Sequence, residues 1–340
     1  MAKVAVVGAT AWGTTLGILL AQKGLAVTLW ARTQQEAQAL TAAGENSLRL
    51  PGFPFPAGMR VTADMAGALD SAELVLFAVP SQRMRENARV AAPHLEPASV
   101  VVSAAKGIEV GSCLRMSEVL AQELGTGVAE RCCVLSGPNL SREIAQGMPA
   151  ATVVAAADVA TADHVRDLMM TPRFRVYSSS DVVGVELGGT LKNIVAMGAG
   201  LNDGWGYGAN TKAAYMTRGL AEMTRLGAAA GANPMTFLGL AGLGDLVATC
   251  TSPFSRNRRL GEAIARGLSL EQALATLGGV AEGPTTTIAA RELAARLGVE
   301  MPVTDVTYRV LYEGLDPRRA ITELMLREPK HELEGLDGPF

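Results

Sequence analysis

The stretch VAVVGATAWGTTLG, residues 4–17, decides how the first half of this chain is interpreted. Four apolar residues typical of a buried strand lead directly into a glycine-containing turn, and a helix-forming segment follows. A strand–turn–helix corner of this kind holds a dinucleotide pyrophosphate when it carries G-x-G-x-x-G. Here Gly8 and Gly13 are the first and third glycines, and Thr10 replaces the second. The motif therefore predicts a dinucleotide site with a modified second position.

A second phosphate motif, G-x-x-x-x-G-K-[ST], competes for the same residues. Gly8 and Gly13 have its spacing and Thr15 stands at its hydroxyl position, but Thr14 replaces the lysine. Without that lysine nothing reaches the β- and γ-phosphates, so the nucleoside triphosphatase interpretation is poor. The dinucleotide interpretation keeps the helix N-terminus that attracts the anion. On the motif alone, a strand–helix corner without any ligand stays equally open.

The end of the second apolar run bears on the kind of dinucleotide. A site for NAD has Asp or Glu at this strand end to hold the ribose 2′-hydroxyl, whereas a site for NADP often has an arginine nearby. The sequence reads LWARTQQE, so Arg32 comes first and no acid precedes Glu36. Arg32 therefore favours NADP(H) over NADH, although a solvated surface arginine would look the same.

Strand-like and helical segments alternate in the first half and only helical spacing follows, which predicts two domains. A doubly wound, mostly parallel, Rossmann-like α/β sheet is expected over residues 1–180 and an all-α domain over 181–328, with a cleft between them and a frayed tail at 329–340. The glycine-rich residues 198–210 are expected to form an irregular connection between helices. The predicted strands are 4–7, 27–30, 74–79, 100–103, 134–135 and 151–156, and the predicted helices include 13–23, 113–124, 191–201, 212–230, 258–266, 285–297 and 304–313.

Composition excludes several classes of protein. A net charge of -3 gives no reason to expect a nucleic-acid partner, and 49% hydrophobic residues exclude a disordered chain. The three histidines are scattered and the four cysteines form no C-x-x-C pair, so no metal site is expected and the thiols are expected to be reduced. No signal peptide is expected, because the first residues lead directly into a predicted strand, and no apolar run is long enough to span a bilayer. We therefore expect a cytoplasmic protein.

Lys192 is the candidate acid or base in the second half. It lies early in an apolar helical segment whose next turns carry Ala196 and Ala199. A lysine facing a dry cleft loses ammonium solvation, which lowers its pKa toward a range useful for proton transfer. The alternative is a lysine whose stem is buried and whose ammonium group reaches water.

Asp245 and Thr249 are four residues apart and therefore share one helix face. Both side chains can then reach the same polar site. The alternative is an exposed aspartate beside a threonine that bonds its own backbone.

Ser255, Arg256 and Asn257 read as a loop that enters a helix. A serine cap, free N–H groups and a guanidinium together make an anion site, for which Arg256 is the favoured side chain. A solvated helix face is the alternative for the whole set of Arg256, Arg258, Arg259 and Arg266.

Seven segments in this order closely resemble the NAD(P)-dependent glycerol-3-phosphate dehydrogenases of the bacterial type, over residues 3–326. They are FAVPSQ (77–82), SAAKGIE (103–109), LSGPNLSREI (135–144), VELGGTLKNIVAMGAGLNDG (185–204), TRGLAEMTRLGAAAGANP (217–234), GLAGLGDLVATC (239–250) and SRNRRLG (255–261). The resemblance implies reversible hydride transfer between NADPH or NADH and dihydroxyacetone phosphate. The product, sn-glycerol 3-phosphate, supplies glycerophospholipid synthesis.

The resemblance also implies roles for individual residues. Lys192 becomes the proton donor and acceptor, and Asn193, Asp245 and Thr249 orient it and the substrate. Thr10, Asn139 and Ser141 depart from the usual family residues, which are glycine, a small hydroxyl residue and alanine. The implied substrate contacts are Lys106, Gly137, Asn139, Asp245, Ser255, Arg256 and Asn257, and the implied cofactor contacts are Gly8, Thr10, Ala11, Trp12, Gly13, Arg32, Lys106, Ser141, Arg256, Val280 and Glu282.

Two other functions stay open at this point. A related dehydrogenase of another small hydroxy acid would act on a carboxylate instead of a phosphate substrate. A dinucleotide-binding sensor without catalysis would bind the cofactor without turnover. Thr10, which replaces the second glycine of the motif, is the feature that supports this hypothesis. The alanine-rich helical half can form a homodimer interface or pack within one chain.

Overall fold

The computed structural model describes residues 2–329 and 331–332. Two compact units are present. The first contains the chain up to Ala105 together with Met116–Val182, and the second contains Lys106–Arg115 together with the described residues from Val183 onwards. Of the tail expected to fray, residues 330 and 333–340 lie outside the described part of the chain.

The first unit is built on one eight-stranded sheet, which confirms the predicted α/β class. The strand order is β3-β2-β1-β4-β5-β6-β7-β8. All neighbouring strands are parallel except β6 and β7, which are antiparallel. The strands are β1 Lys3–Val7, β2 Ala26–Trp30, β3 Met59–Thr62, β4 Leu74–Phe77, β5 Val100–Ser103, β6 Cys132–Ser136, β7 Ala150–Ala156 and β8 Phe174–Ser179.

Two strands, β3 and β8, are absent from the sequence-based prediction, and both are at the sheet edges. An edge strand is less covered than a central one, so its sequence is not a continuous apolar run. In β8, FRVYSS, buried Phe174 and Val176 alternate with exposed Arg175 and Tyr177. Central strands such as β4 are buried at every residue, and these are the strands that unbroken apolar runs predict.

Helices surround the sheet and make up the second unit. Those from the first half of the chain are α1 Ala11–Gln22, α2 Gln34–Ala43, α3 Met65–Leu69, α4 Met84–Ala91, α5 Met116–Leu124, α6 Thr126–Ala129, α7 Ser141–Ala145 and α8 Val159–Met169. Those that follow are α9 Val182–Gly204, α10 Ala209–Ala229, α11 Asp245–Thr251, α12 Arg256–Ala265, α13 Leu270–Ala275, α14 Gly283–Leu297, α15 Pro302–Tyr312 and α16 Pro317–Met325.

Helix α9 is the central element of the second unit and is buried over most of its length. The expectation of an irregular connection over residues 198–210 is wrong for its first part, because α9 continues to Gly204 and only residues 205–208 connect it to α10. The glycines serve helix packing. A Cβ on Gly200 would lie 1.9 Å from the carbonyl oxygen of Arg258 in α12.

Residues 106–115 leave the first unit and pack with the second. Ile108 is fully buried in the same apolar cluster as Leu187 of α9. Arg115 donates to the buried Glu186 of α9 over 3.0 Å. The predicted helix over residues 113–124 accordingly begins only at Met116, since the residues before it belong to this loop.

Candidate active site

The turn between β1 and α1 requires both of its glycines. Gly8 has a φ of +115°, and a Cβ there would lie 2.8 Å from the Val79 side chain and 3.0 Å from the Ala78 carbonyl oxygen. A Cβ on Gly13 would lie 2.1 Å from the Gly8 carbonyl oxygen. Strand, turn and helix therefore approach one another more closely than any side chain permits, as a dinucleotide-binding turn requires.

Thr10, which replaces the second glycine, is the N-cap of α1. Its hydroxyl accepts from the Gly13 N–H over 3.0 Å and donates to the Ala78 carbonyl over 2.7 Å. The side chain therefore fastens the start of the helix to the end of β4. The N–H groups of Ala11 and Trp12 remain at the open end of a 12-residue helix, where an anion is favoured. The turn fits a dinucleotide pyrophosphate with the threonine in place.

Other predicted residues of the first unit also follow strand ends. Arg32 comes after β2 and is exposed, and its backbone N–H donates to the Glu36 carboxylate over 3.1 Å. An acid therefore does reach this strand end, which the sequence did not indicate. The carboxyl ends of parallel strands meet at one edge of a sheet, and the predicted residues Gly8, Arg32 and Gly137 follow β1, β2 and β6 at that edge.

Asn139 and Ser141 lie just beyond Gly137. The Asn139 side-chain oxygen accepts from the Thr152 hydroxyl over 2.9 Å, so part of its amide is engaged by β7. Ser141 begins α7, and its carbonyl oxygen accepts from the Thr15 hydroxyl over 3.3 Å. This last contact joins α7 to α1, the helix of the glycine turn.

Lys192 lies at the centre of a buried polar network in the second unit. Its ammonium group donates to the Thr249 hydroxyl over 2.6 Å and lies 3.0 Å from Oδ1 of Asp245. Thr249 donates to the same Oδ1 over 3.1 Å, and Lys106 donates to Oδ2 over 2.5 Å. The side chains of Lys192 and Asp245 are only 8% and 2% exposed. One carboxylate thus holds two ammonium groups, one on each oxygen.

This burial decides between the alternatives left open above. The ammonium group of Lys192 does not reach water, Asp245 is not exposed, and the Thr249 hydroxyl bonds to Asp245. Loss of solvation lowers the pKa of Lys192 to about 8; the Asp245 charge opposes this shift and the Lys106 charge adds to it. A lysine with this pKa holds its proton at neutral pH and gives it up readily.

Next to Lys192, Asn193 begins a second set of buried contacts. Its side-chain oxygen accepts from the Asn257 amide over 2.8 Å, and the Asn257 oxygen accepts from the Gly283 N–H over 3.0 Å. These bonds connect α9, the first turn of α12 and the start of α14. Glu282 is the N-cap of α14, and Val280 just before it is half exposed.

Ser255 caps α12 as predicted, since its hydroxyl accepts from the Arg258 N–H over 3.2 Å. Arg256 is the first residue of the helix and is exposed. The solvated-face alternative is wrong for Arg258, whose guanidinium binds Asp203 of α9 over 2.6 Å. Asp203 and its other partner, Lys212, are residues that no local spacing in the sequence singled out.

Within residues 2–329 and 331–332, no three His, Cys, Asp or Glu side chains are placed to hold a metal ion. None of the helices in this described part is both long and apolar enough to cross a membrane.

This chain is similar to known proteins over nearly its whole length. Residues 3–162 match the family model for the N-terminus, and residues 181–322 that for the C-terminus, of NAD-dependent glycerol-3-phosphate dehydrogenase. "Glycerol-3-phosphate dehydrogenase [NAD(P)+]" of Dehalococcoides mccartyi is 50% identical over 98% of this chain and 94% of its own length. The same-named protein of Pelotomaculum thermopropionicum is 50% identical over 98% and 95%.

A solved structure supports the same assignment. The crystal structure of glycerol-3-phosphate dehydrogenase from Coxiella burnetii superposes with a TM-score of 0.91 at 37% identity, over 96% of this chain and 99% of that one. The chain therefore belongs to the family of NAD(P)-dependent glycerol-3-phosphate dehydrogenases.

Proposed function

We propose that this protein catalyses reversible hydride transfer between NAD(P)H and dihydroxyacetone phosphate, with sn-glycerol 3-phosphate as the product. The observation that carries the proposal is the buried Lys192, whose ammonium group is held by Asp245 and Thr249 and whose pKa is lowered to about 8. Membership of the family supports the substrate, because the relatives are named for glycerol 3-phosphate.

A nicotinamide dinucleotide held at the turn after β1 would supply the hydride for the substrate carbonyl carbon. The electron pair of the C=O double bond moves to oxygen, so a negative charge develops there. The Lys192 ammonium group stabilises that charge and transfers its proton to the oxygen as the alkoxide forms. In the reverse direction the neutral amine accepts the proton from the alcohol.

The neighbours of Lys192 fix its position and its charge. Thr249 and Asp245 hold the ammonium group from two directions, which leaves one of its three N–H bonds for the substrate. Lys106 occupies the other oxygen of Asp245. Its positive charge lowers the pKa of Lys192, so the proton leaves more easily.

The first turn of α12 is the proposed site for the substrate phosphate. It offers the guanidinium of Arg256 at the positive end of a 10-residue helix capped by Ser255. Asn257 is held by Asn193, the residue after the proton donor, and this bond keeps the phosphate end and the proton-transfer end in fixed relation.

We also propose that NADP(H) is preferred over NAD(H). The support for this preference is the exposed Arg32 just after the end of β2, since NADP sites often have an arginine there for the ribose 2′-phosphate. Glu36 lies against the backbone N–H of Arg32, and its negative charge reduces this preference. A small preference for NADPH is therefore expected, and Arg32→Ala should abolish it.

A cytoplasmic location and a homodimeric state complete the proposal. Cys113, Cys132, Cys133 and Cys250 are all buried free thiols, in accord with a reducing compartment. Exposed large apolar side chains, among them Met235, Leu238 and Phe254, are available for contacts with a second copy. Light scattering of the purified protein tests the oligomeric state.

The deciding experiment follows NADPH absorbance after dihydroxyacetone phosphate is added, then repeats it with NADH. Oxidation that requires the phosphate substrate supports the proposal. Turnover of a hydroxy-acid or keto-acid substrate instead would show a different dehydrogenase. Cofactor binding without any turnover would favour the sensor hypothesis.

A further inference from the structure

Helices α9 and α12 cross with their backbones in direct contact. A Cβ on Gly200 would lie 1.9 Å from the Arg258 carbonyl oxygen, and a Cβ on Gly261 would lie 1.9 Å from the Met197 carbonyl oxygen. Since no side chain lies between the helices here, their separation at the crossing is fixed. The close approach continues towards the ends of both helices, where a Cβ on Gly204 would lie 2.5 Å from the Ala265 side chain and the Trp205 indole N–H donates to the Ala265 carbonyl over 3.1 Å. The first turn of α12, which carries the proposed phosphate contacts, is held to α9 by side chains as well.

Two side-chain contacts join α9 to adjacent residues, Asn257 and Arg258, in the first turn of α12. One is the amide pair of Asn193 and Asn257, which belongs to the proposed substrate site. The other is Asp203, about one turn beyond Gly200 towards the end of α9. Its carboxylate accepts from Nε of Arg258 over 2.6 Å, in α12 and directly after Asn257.

Asp203 is itself held in place from α10. Lys212 donates to both of its oxygens, over 2.9 and 2.8 Å. The three charged side chains of Asp203, Lys212 and Arg258 are each no more than 20% exposed. Arg258 also binds Glu262, but that bond stays within α12 and connects it to nothing else.

We infer that Asp203 is a positioning residue for the substrate phosphate, acting through Arg258 on the first turn of α12. The inference rests on the proposed function, because it assumes that Arg256 and Asn257 bind a phosphate. Asp203 touches neither Lys192 nor its partners, so proton transfer should not depend on it. Its loss should therefore weaken the binding of a phosphate and leave the chemical step intact.

The test is Asp203→Asn, which keeps the shape and removes the charge. The KM for dihydroxyacetone phosphate should rise about tenfold or more, a loss of about 1.4 kcal/mol in binding, while kcat and the Kd for NADPH stay at the wild-type values. Dihydroxyacetone, which lacks the phosphate, should be reduced as slowly by the variant as by the wild type. Binding of inorganic phosphate, measured by calorimetry, should weaken by a similar factor.

Glu262→Gln is the matched control. It removes an ion pair of the same arginine without releasing α12 from α9, so the KM and the phosphate affinity should both stay at the wild-type values. The melting temperatures of both variants show whether the fold is kept.

Equal phosphate affinity in wild type and Asp203→Asn overturns the inference. A parallel fall in kcat, NADPH binding and melting temperature also overturns it, since that is the signature of general structural damage. Failure of the proposed function looks different: the wild type itself would not oxidise NADPH with dihydroxyacetone phosphate. The calorimetric comparison would still test the role of Asp203 in that case.

Discussion

The turn after β1 and the network around Lys192 are built in opposite ways. The turn consists of backbone: two glycines, the N–H groups that begin α1, and one threonine whose side chain is bonded back into the protein. The network consists of side chains from separate segments, each buried and each bonded to the next. A site made of backbone tolerates a change of side chain as long as the chain path is kept. A buried network of side chains does not, because removing one leaves the others without partners.

The first prediction breaks the network at its centre. Lys192→Ala removes the proton donor, and general acid catalysis is worth roughly 10²- to 10⁴-fold, so kcat with NADPH and dihydroxyacetone phosphate should fall by about that factor. Lys3→Ala, which removes an exposed lysine paired with Asp70, is the control and should keep full activity. Activity within the range of the control would remove Lys192 from the mechanism.

The second prediction changes the charge of the network. Reduction requires the ammonium form of Lys192, so kcat/KM should fall as the pH rises through its pKa of about 8. The Asp245 carboxylate raises the pKa of Lys192. Asp245→Asn should therefore lower this pKa and move the alkaline limb of the pH profile to lower pH, with a loss of activity at neutral pH of about a hundredfold.

The control for Asp245→Asn is Asp305→Asn, which removes a half-exposed carboxylate paired with Arg291. Its pH profile should coincide with that of the wild type. A limb that moves to higher pH in Asp245→Asn would contradict the assignment of this limb to Lys192.

The third prediction concerns the backbone of the turn after β1. Gly8→Ala places a Cβ 2.8 Å from Val79 at a φ of +115°, and strain of this kind costs about 1–3 kcal/mol. Gly24→Ala is the matched control, since Gly24 has a φ of +97° but open space around its Cβ position. Urea unfolding should show the larger loss of stability for Gly8→Ala. NADPH binding should weaken in that variant alone, and equal effects in both would show that the close approach is unimportant.

The smallest effect is expected at Thr10, the position where the G-x-G-x-x-G motif lacks its second glycine. Thr10→Gly restores the usual pattern and removes the cap of α1, which costs a few tenths of a kcal/mol when glycine replaces it. Since the hydroxyl is already bonded to Gly13 and Ala78, the Kd for NADPH should change little, as measured by fluorescence titration. A Kd at least about tenfold lower would mean that the threonine obstructs the pyrophosphate.

The same contrast explains what the sequence could predict. Unbroken apolar runs predicted the central strands, because those strands are buried on both faces, whereas β3 and β8 at the edges escaped this criterion. The glycines at 198–204 suggest a break in a helix, yet Gly200 and Gly204 let α12 approach α9, and Gly198 makes room for Tyr215 of α10. Glycine is typical both of a helix break and of close helix packing, and only the neighbouring helix distinguishes the two.

Some residues of the candidate site were predictable from the sequence and others were not. Local spacing predicted Gly8, Gly13, the shared helix face of Asp245 and Thr249, and the cap at Ser255, because each depends on residues a few positions apart. The bond from Lys106 to Asp245 joins residues 139 positions apart in the sequence. No periodicity signals such a contact, and Lys106 was included only because of the family resemblance. Neither local spacing nor the family resemblance assigned a role to Asp203.

The ten residues from Lys106 to Arg115 have a consequence for modularity. The chain leaves one unit and returns before the final crossing near Val182, so the helical unit is not one continuous piece of the gene product. A fragment beginning at Val183 would lack Ile108 from its apolar cluster, Lys106 from Asp245, and Arg115 from the buried Glu186. Removing one member of a buried ion pair is strongly destabilising. We therefore expect the helical half to be inherited, expressed and recombined only together with the strand-bearing half.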